Sequence, residues 1–155
     1  LIEALQRNYP DASEVPMPPY DVTEGLIRTA LSDKELRKEI RNKFLITLKV
    51  GEDDYYYLVA LLAAFYRHNN PEKNNFTARD LLALACEYQV AKIRNLSVEA
   101  VESLMEDLHD LNVLQPVTRE VENNAYRFAR FSFYQMMGSR EKVDEEIEKR
   151  MEMDE

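Results

Sequence analysis

Glycine is scarce in this chain: Gly25, Gly51 and Gly138 are the only three in 155 residues. Neither G-x-x-x-x-G-K-[ST] nor G-x-G-x-x-G can be written with them, so a Gly-rich phosphate loop is excluded within these residues. Cys86 is the single cysteine, which rules out an intrachain disulfide. It falls in an apolar helical pattern, which predicts a buried thiol rather than a nucleophile. Histidine is limited to His68 and His109, and no Cys/His spacing resembles a zinc site. Bases are outnumbered, 20 against 29 acids, for a net charge of -9. That balance disfavours generic binding to nucleic acid or anionic lipid. No apolar run approaches the ~18 residues of a membrane span, and no signal peptide is visible. A cytoplasmic location is the default expectation. The carboxylates from Glu141 to Glu148 lack the Asp/Asn/Gly order of a calcium loop. His109, beside Asp110 and off its helix's apolar stripe, reads as a surface histidine rather than half of a dyad. The sequence therefore predicts no catalytic, cofactor-binding or metal-binding residues.

Few glycines and six prolines, with abundant Leu, Glu and Ala, point to a mainly α protein. The chain opens with Leu1, and Leu1 to Asn8 reads as the end of an apolar helix, so a piece of a longer protein is expected. Residues 1–49 form a helical, lid-like extension, with four prolines crowded into the linker 9–20. Thr23 opens a short helix through Ala30. Ser32 to Lys49 follows as a longer one, with Leu36, Ile40, Phe44 and Leu48 recurring every four residues and Leu45 widening the stripe. Its other face is basic: Lys34, Arg37, Lys38, Arg41, Lys43 and Lys49 oppose Asp33, Glu35 and Glu39. That face is a solvated surface or a docking surface for an acidic partner or nucleic acid, on which Arg37 and Arg41 would make contact.

Residues 50–138 carry the pattern of a winged helix-turn-helix: three helices and a short β-hairpin wing. Tyr55 to Tyr66 is apolar almost all round, as a central helix buried from several directions would be. His68 to Asn75 is a loop. Thr77 caps a second helix, with Asp80 three residues on completing a near capping box and Phe76 stapling to Leu81. Ser97 caps a third, and Val101, Leu104, Met105, Leu108 and Leu111 mark its buried stripe. Leu62, Leu81, Leu104 and Leu108 should meet in the core. Asn112 suits a left-handed cap, with Val113 packing back beyond it. Leu114 to Thr118 is a strand placed at an edge by Pro116. Asn123 and Asn124 turn the hairpin. Ser132 to Met137 makes one helical turn, stopped by Gly138. Residues 139–155 are an acidic C-terminal helix or tail, whose thin stripe at Val143, Ile147 and Met151 predicts a solvated or frayed element unless a partner covers it.

In such a fold the third helix reads DNA. Here Ser97 to Leu111 carries Glu99, Glu102, Glu106, Asp107 and Asp110, and no Lys or Arg. Phosphate needs Arg, Lys or backbone donors, and each of these acids repels it. Residues favouring nucleic-acid contact are Arg79, Lys92 and Arg94 around the second helix and its turn, and Arg119, Arg127 and Arg130 on the wing. Any DNA contact is expected to be weak. Tyr88, Tyr126 and Phe128 are candidates for contact with a protein partner.

The run PPYDVTEGLIRTALSDKELRKEIRNKFLITLKVGEDDYYYLVALLAA resembles the region after the ATPase core in prokaryotic P-loop ATPases of the AAA/STAND type. FTARDLLALACEYQVAKIRNLSVEAVESLMEDLHDLNVL and NNAYRFARFSFYQMMGS resemble their winged domain and its wing. The resemblance implies a non-catalytic regulatory module whose partner is the upstream ATPase domain or another protein. It transfers no catalytic residue to this chain, because the nucleotide-binding loops would lie upstream. The competing expectation is a DNA-binding winged helix of a transcription regulator or defence system. Oligomeric state is not legible in the sequence.

Overall fold

Nine consecutive residues, Tyr57 to Phe65, are buried in one helix. This is the segment that the sequence makes apolar on every side, and the later helices pack on it. The computed structural model describes residues 23–51, 53–117 and 124–151. It is mainly helical with one small antiparallel sheet. Near Phe44 the chain divides into two compact units.

The first unit holds α1 (Glu24–Ser32) and most of α2 (Lys34–Leu48). Thr23 Oγ1 accepts the Leu26 N–H at 3.2 Å and starts α1. Asp33 joins the two helices. Its backbone N–H donates to Ala30 O at the end of α1, and its carboxylate accepts the Leu36 N–H at 2.9 Å to start α2. The expected stripe on α2 is uneven. Phe44 and Leu48 are buried and Leu36 and Leu45 half-buried, but Ile40 and Ile46 lie exposed.

The second unit is built on α3 (Tyr55–Asn69). After β1 (Phe76–Thr77) come α4 (Ala78–Glu87), the single turn α5 (Ala91–Arg94) and α6 (Val98–Asp110). Strands β2 (Leu114–Pro116) and β3 (Ala125–Phe128) follow, then α7 (Phe131–Met137) and α8 (Arg140–Glu148). Helices α3, α4 and α6 pack on one another. Leu61, Leu62, Leu81, Met105 and Leu108 are wholly buried among them. Each such side chain stabilises the fold by roughly 1.5–3 kcal/mol relative to exposure. Leu104, expected in that core, is only half-buried, and Met105 takes the central position instead.

With glycine so scarce, polar residues terminate the helices. Gln89, at φ 51, and Asn112, at φ 59, occupy the left-handed position after α4 and α6. In each case the next residue closes the end: Val90 N–H donates to Ala85 O at 2.8 Å, and Val113 N–H to Leu108 O at 2.9 Å. Both valines are buried. This paired Schellman geometry fixes the exits on either side of α5. At the start of α4 both halves of the capping box form: Asp80 N–H to Thr77 Oγ1, and Thr77 N–H to Asp80 Oδ2.

The sheet has three strands, in the order β1-β3-β2, where the sequence suggested only a hairpin. Phe76 pairs with Tyr126 and Thr77 with Ala125 on one side of β3; Leu114 pairs with Phe128 and Gln115 with Arg127 on the other. Pro116 lies in β2 at the sheet edge, where its missing donor costs no ladder bond. Thr118 and Asn123, assigned to the strand and its turn, lie outside the described residues.

Helix α8 is not a solvated element. Ser139 Oγ accepts the Lys142 N–H, and Val143 and Ile147 are buried where α8 packs on α3. Gly138, at φ 121, makes the bend into it; an added Cβ would stand 3.2 Å from Lys142 Cβ.

Candidate interaction surface

Helix α6 buries Val101, Met105 and Leu108, and this sets where its acids go. Glu99, Glu106 and Asp110 are exposed, and Glu102 and Asp107 half-buried. Asp107 is spent within the fold: it accepts a hydrogen bond from Tyr56 Oη at 3.0 Å. Of the others, Glu102, Glu106 and Asp110 lie close enough to act on Tyr126 of β3. Burial pushes the Tyr126 phenol above its ordinary value, and the negative charges of Glu106, Glu102 and Asp110 push it further in the same direction. Strand β3 and helix α6 therefore form one acidic surface with a half-buried tyrosine in it. His109, exposed as expected, approaches Leu114 O through Nδ1 at 3.2 Å.

The basic candidates described in the second unit are each placed separately. Arg79 is exposed at the first turn of α4. Lys92, exposed, pairs with Asp53, bonding its carboxylate at 3.3 Å and its backbone oxygen at 3.1 Å. Arg94 is half-buried and has its own intramolecular partners. Arg127 is exposed and reaches Gln115 Oε1 at 3.5 Å. Arg130 is exposed just before α7, and Arg119 lies outside the described residues. Arg37 and Arg41 belong to α2, and neither is without intramolecular partners.

Two of the three aromatic candidates are part of the packing. Phe128 is 5% exposed, in contact with the rings of Phe76 and Tyr134, so it serves the core and not a partner. Its register opposite Leu114 on the central strand directs it inward. Tyr88 caps α4 and meets Phe65 edge-on at 4.8 Å. It also lines a shallow cavity of about 390 Å³ with Asn69, Arg140, Ile147 and Met151. A larger cavity, of about 500 Å³, lies by the start of α3 between Asp53, Asp54, Lys92, Glu146 and Arg150. Its cations are paired: Lys92 with Asp53, and Arg150 with Glu146 at 2.8 Å. Burial raises the Glu146 carboxyl, but hydrogen bonds from Lys149 and Arg150 outweigh it and leave the group below its ordinary value.

Cys86 is exposed, not buried as its pattern suggested; its Sγ lies 3.7 Å from Arg94 O. Helix α4 turns Leu81 and Ala85 inward, and Cys86 follows Ala85 by one residue onto the outer face. Among the described residues no group of His, Cys, Asp and Glu could hold a metal ion, and no helix is long and apolar enough to cross a membrane.

One cluster has no counterpart in the sequence reading. Tyr134 Oη lies 2.8 Å from His68 Nδ1, and His68 Nε2 lies 3.3 Å from Gly138 O. Since a carbonyl only accepts, Nε2 carries a proton in this chain of bonds, and in the neutral imidazole Tyr134 donates to Nδ1. The Arg67 guanidinium lies over the Tyr134 ring at 4.2 Å and the Phe131 ring at 5.1 Å. The available signal was compositional: no acid occurs between Glu122 and Glu141, a run that holds three arginines and four aromatics from Arg127 to Arg140.

Comparison of the chain with known protein families, curated proteins and solved structures gives no match.

Proposed function

We propose that this chain is a non-catalytic regulatory module that binds protein through a winged-helix domain, residues 50–138, and forms the C-terminal part of a larger P-loop ATPase. The order helix, strand, helix, turn, helix, strand, strand from α3 to β3 supports the winged-helix reading. The sequence resemblance supports the ATPase context. The observation that carries the protein-facing role is the surface of α6, where three acids, Glu102, Glu106 and Asp110, act on Tyr126 and no Lys or Arg lies on the helix. Desolvated against a duplex, those carboxylates would face phosphate at short range. Against a basic protein surface they form a charged rim around a tyrosine anchor.

Mobility shifts on duplex DNA at two salt concentrations test this reading. The chain should bind only weakly, with Kd in the range of about 10⁻⁴ to 10⁻⁶ M set by phosphate contacts alone, and binding should fall steeply with salt. Glu102→Lys with Glu106→Lys should strengthen it. A tight complex that survives salt and depends on base sequence would overturn the proposal in favour of a DNA-binding domain.

A further inference from the structure

Arg67 sits in the last turn of α3, half-buried, with its guanidinium over two aromatic rings. Stacking holds the planar group without using its N–H donors, which lie in the plane. Among the described residues the Arg67 side chain makes no hydrogen bond and no ion pair, although the chain carries 29 acids. Glu141, at the start of α8, has its carboxyl held below its ordinary value first by a backbone N–H and the Ser139 side chain, and then by Arg140 and His68. The Tyr134 ring beneath is itself fixed by its bond to His68, and Phe131 beside it is 58% exposed. Arg130, exposed, adjoins Phe131 in the chain. The site is thus a half-buried guanidinium held over two rings, with no ion-pair partner among the described residues, next to an exposed aromatic side chain.

From this geometry we infer that Arg67, Phe131 and Tyr134 form a docking site for an acidic-apolar peptide segment of a partner protein. A carboxylate takes the Arg67 fork in a two-point hydrogen bond, and an adjacent apolar side chain covers Phe131. A nucleic acid would place regularly spaced phosphates across a protein of net charge -9, with the α8 acids beginning at Glu141. A peptide concentrates its charge at one point and follows it with apolar surface, which is the pattern here. The assignment rests on the protein-facing reading above but uses a different surface from α6.

The test is fluorescence polarisation with the full chain and a short labelled peptide carrying a single Glu followed by Leu residues. A matched Gln-Leu peptide and an oligo-dT strand serve as controls. The Glu-Leu peptide should bind best. Arg67→Ala should weaken it about tenfold or more, the effect of a lost charge-assisted hydrogen bond. Arg67→Lys should not restore it, because a point charge lacks the fork. Phe131→Ala, at an exposed position that leaves the melting transition in place, should weaken binding several-fold. Equal binding of the Gln-Leu peptide, no binding of either peptide, or indifference to Arg67→Ala and Phe131→Ala would each overturn the site. So would tighter binding of oligo-dT than of the peptide. Failure here, with duplex DNA still bound only weakly, would remove this docking site and leave the α6 surface as it stands.

Discussion

Tyr56 on α3 donates its phenol proton to Asp107 on α6 across 3.0 Å, tying together two helices whose residues stand 51 apart in the chain. The bond takes one carboxylate out of the acidic face and turns it into structure. It also holds the Tyr56 phenol above its ordinary value, because ionisation would break the bond and set two negative charges together. Tyr56→Phe keeps the ring and removes only the donor. The variant should lose about 1 kcal/mol of stability by chemical denaturation, the net worth of one such bond. An unchanged midpoint would show that water replaces the tyrosine without loss.

Core truncations should rank by burial rather than by the apolar stripe read along α6. Met105→Ala and Leu108→Ala remove wholly buried side chains and should each cost about 2–5 kcal/mol. Leu104→Ala acts at a half-buried site and should cost clearly less. Urea unfolding of the three variants checks the order. Equal losses would mean that the helix is rotated from the arrangement seen here.

These contrasts mark how far the sequence could be read. The central helix, the Thr77 and Ser97 caps, the Asn112 exit and the edge position of Pro116 were legible because each depends on residues a few positions apart. Strand β1 was not, since two residues carry no alternation and Phe76 and Thr77 already had a role at the head of α4. Phe128 and Cys86 were misplaced for a related reason. Which side of an element faces the core depends on a pairing register or a helix rotation, and neighbours distant in sequence decide both. Of the candidate surface, the charge of α6 was plain in the sequence. The stacking of Arg67 on rings more than 60 residues away was not.

Helix α8 should unfold with the domain and not before it. Its stripe of Val143 and Ile147 looked too thin to hold a helix, yet both side chains are buried against α3, and Tyr57 Oη reaches Glu146 at 3.4 Å. Ile147→Ala should therefore lower the stability of the whole unit by about 2–5 kcal/mol. Amide exchange should show α8 protected to a similar degree as α3 in the unaltered chain. Early exchange of residues 140–148, with α3 still protected, would mean that α8 docks only transiently.

Tyr56, Tyr126 and Tyr134 give the fold an alkaline limit whose sign is fixed. Tyr126 is raised by burial and then by Glu106, Glu102 and Asp110; Tyr134 is raised by burial, with Arg67 opposing; Tyr56 is raised by its bond to Asp107. In each case the folded protein holds the phenol proton more tightly than the unfolded chain, whose tyrosines titrate near 10.0. Their contribution to stability is complete below that value, and it is lost as pH rises through the folded-state values. Urea midpoints should therefore fall on the alkaline side of pH 10. Tyrosinate absorbance should show late-titrating groups, one fewer of them in Tyr126→Phe. Replacing Glu102 and Glu106 together by Gln should bring the Tyr126 phenol down but not fully to its ordinary value, because burial remains. A Tyr126 that titrates with the exposed tyrosines, or one unmoved by the Gln pair, would separate it from the α6 carboxylates and dissolve the acidic surface on which the proposed function stands.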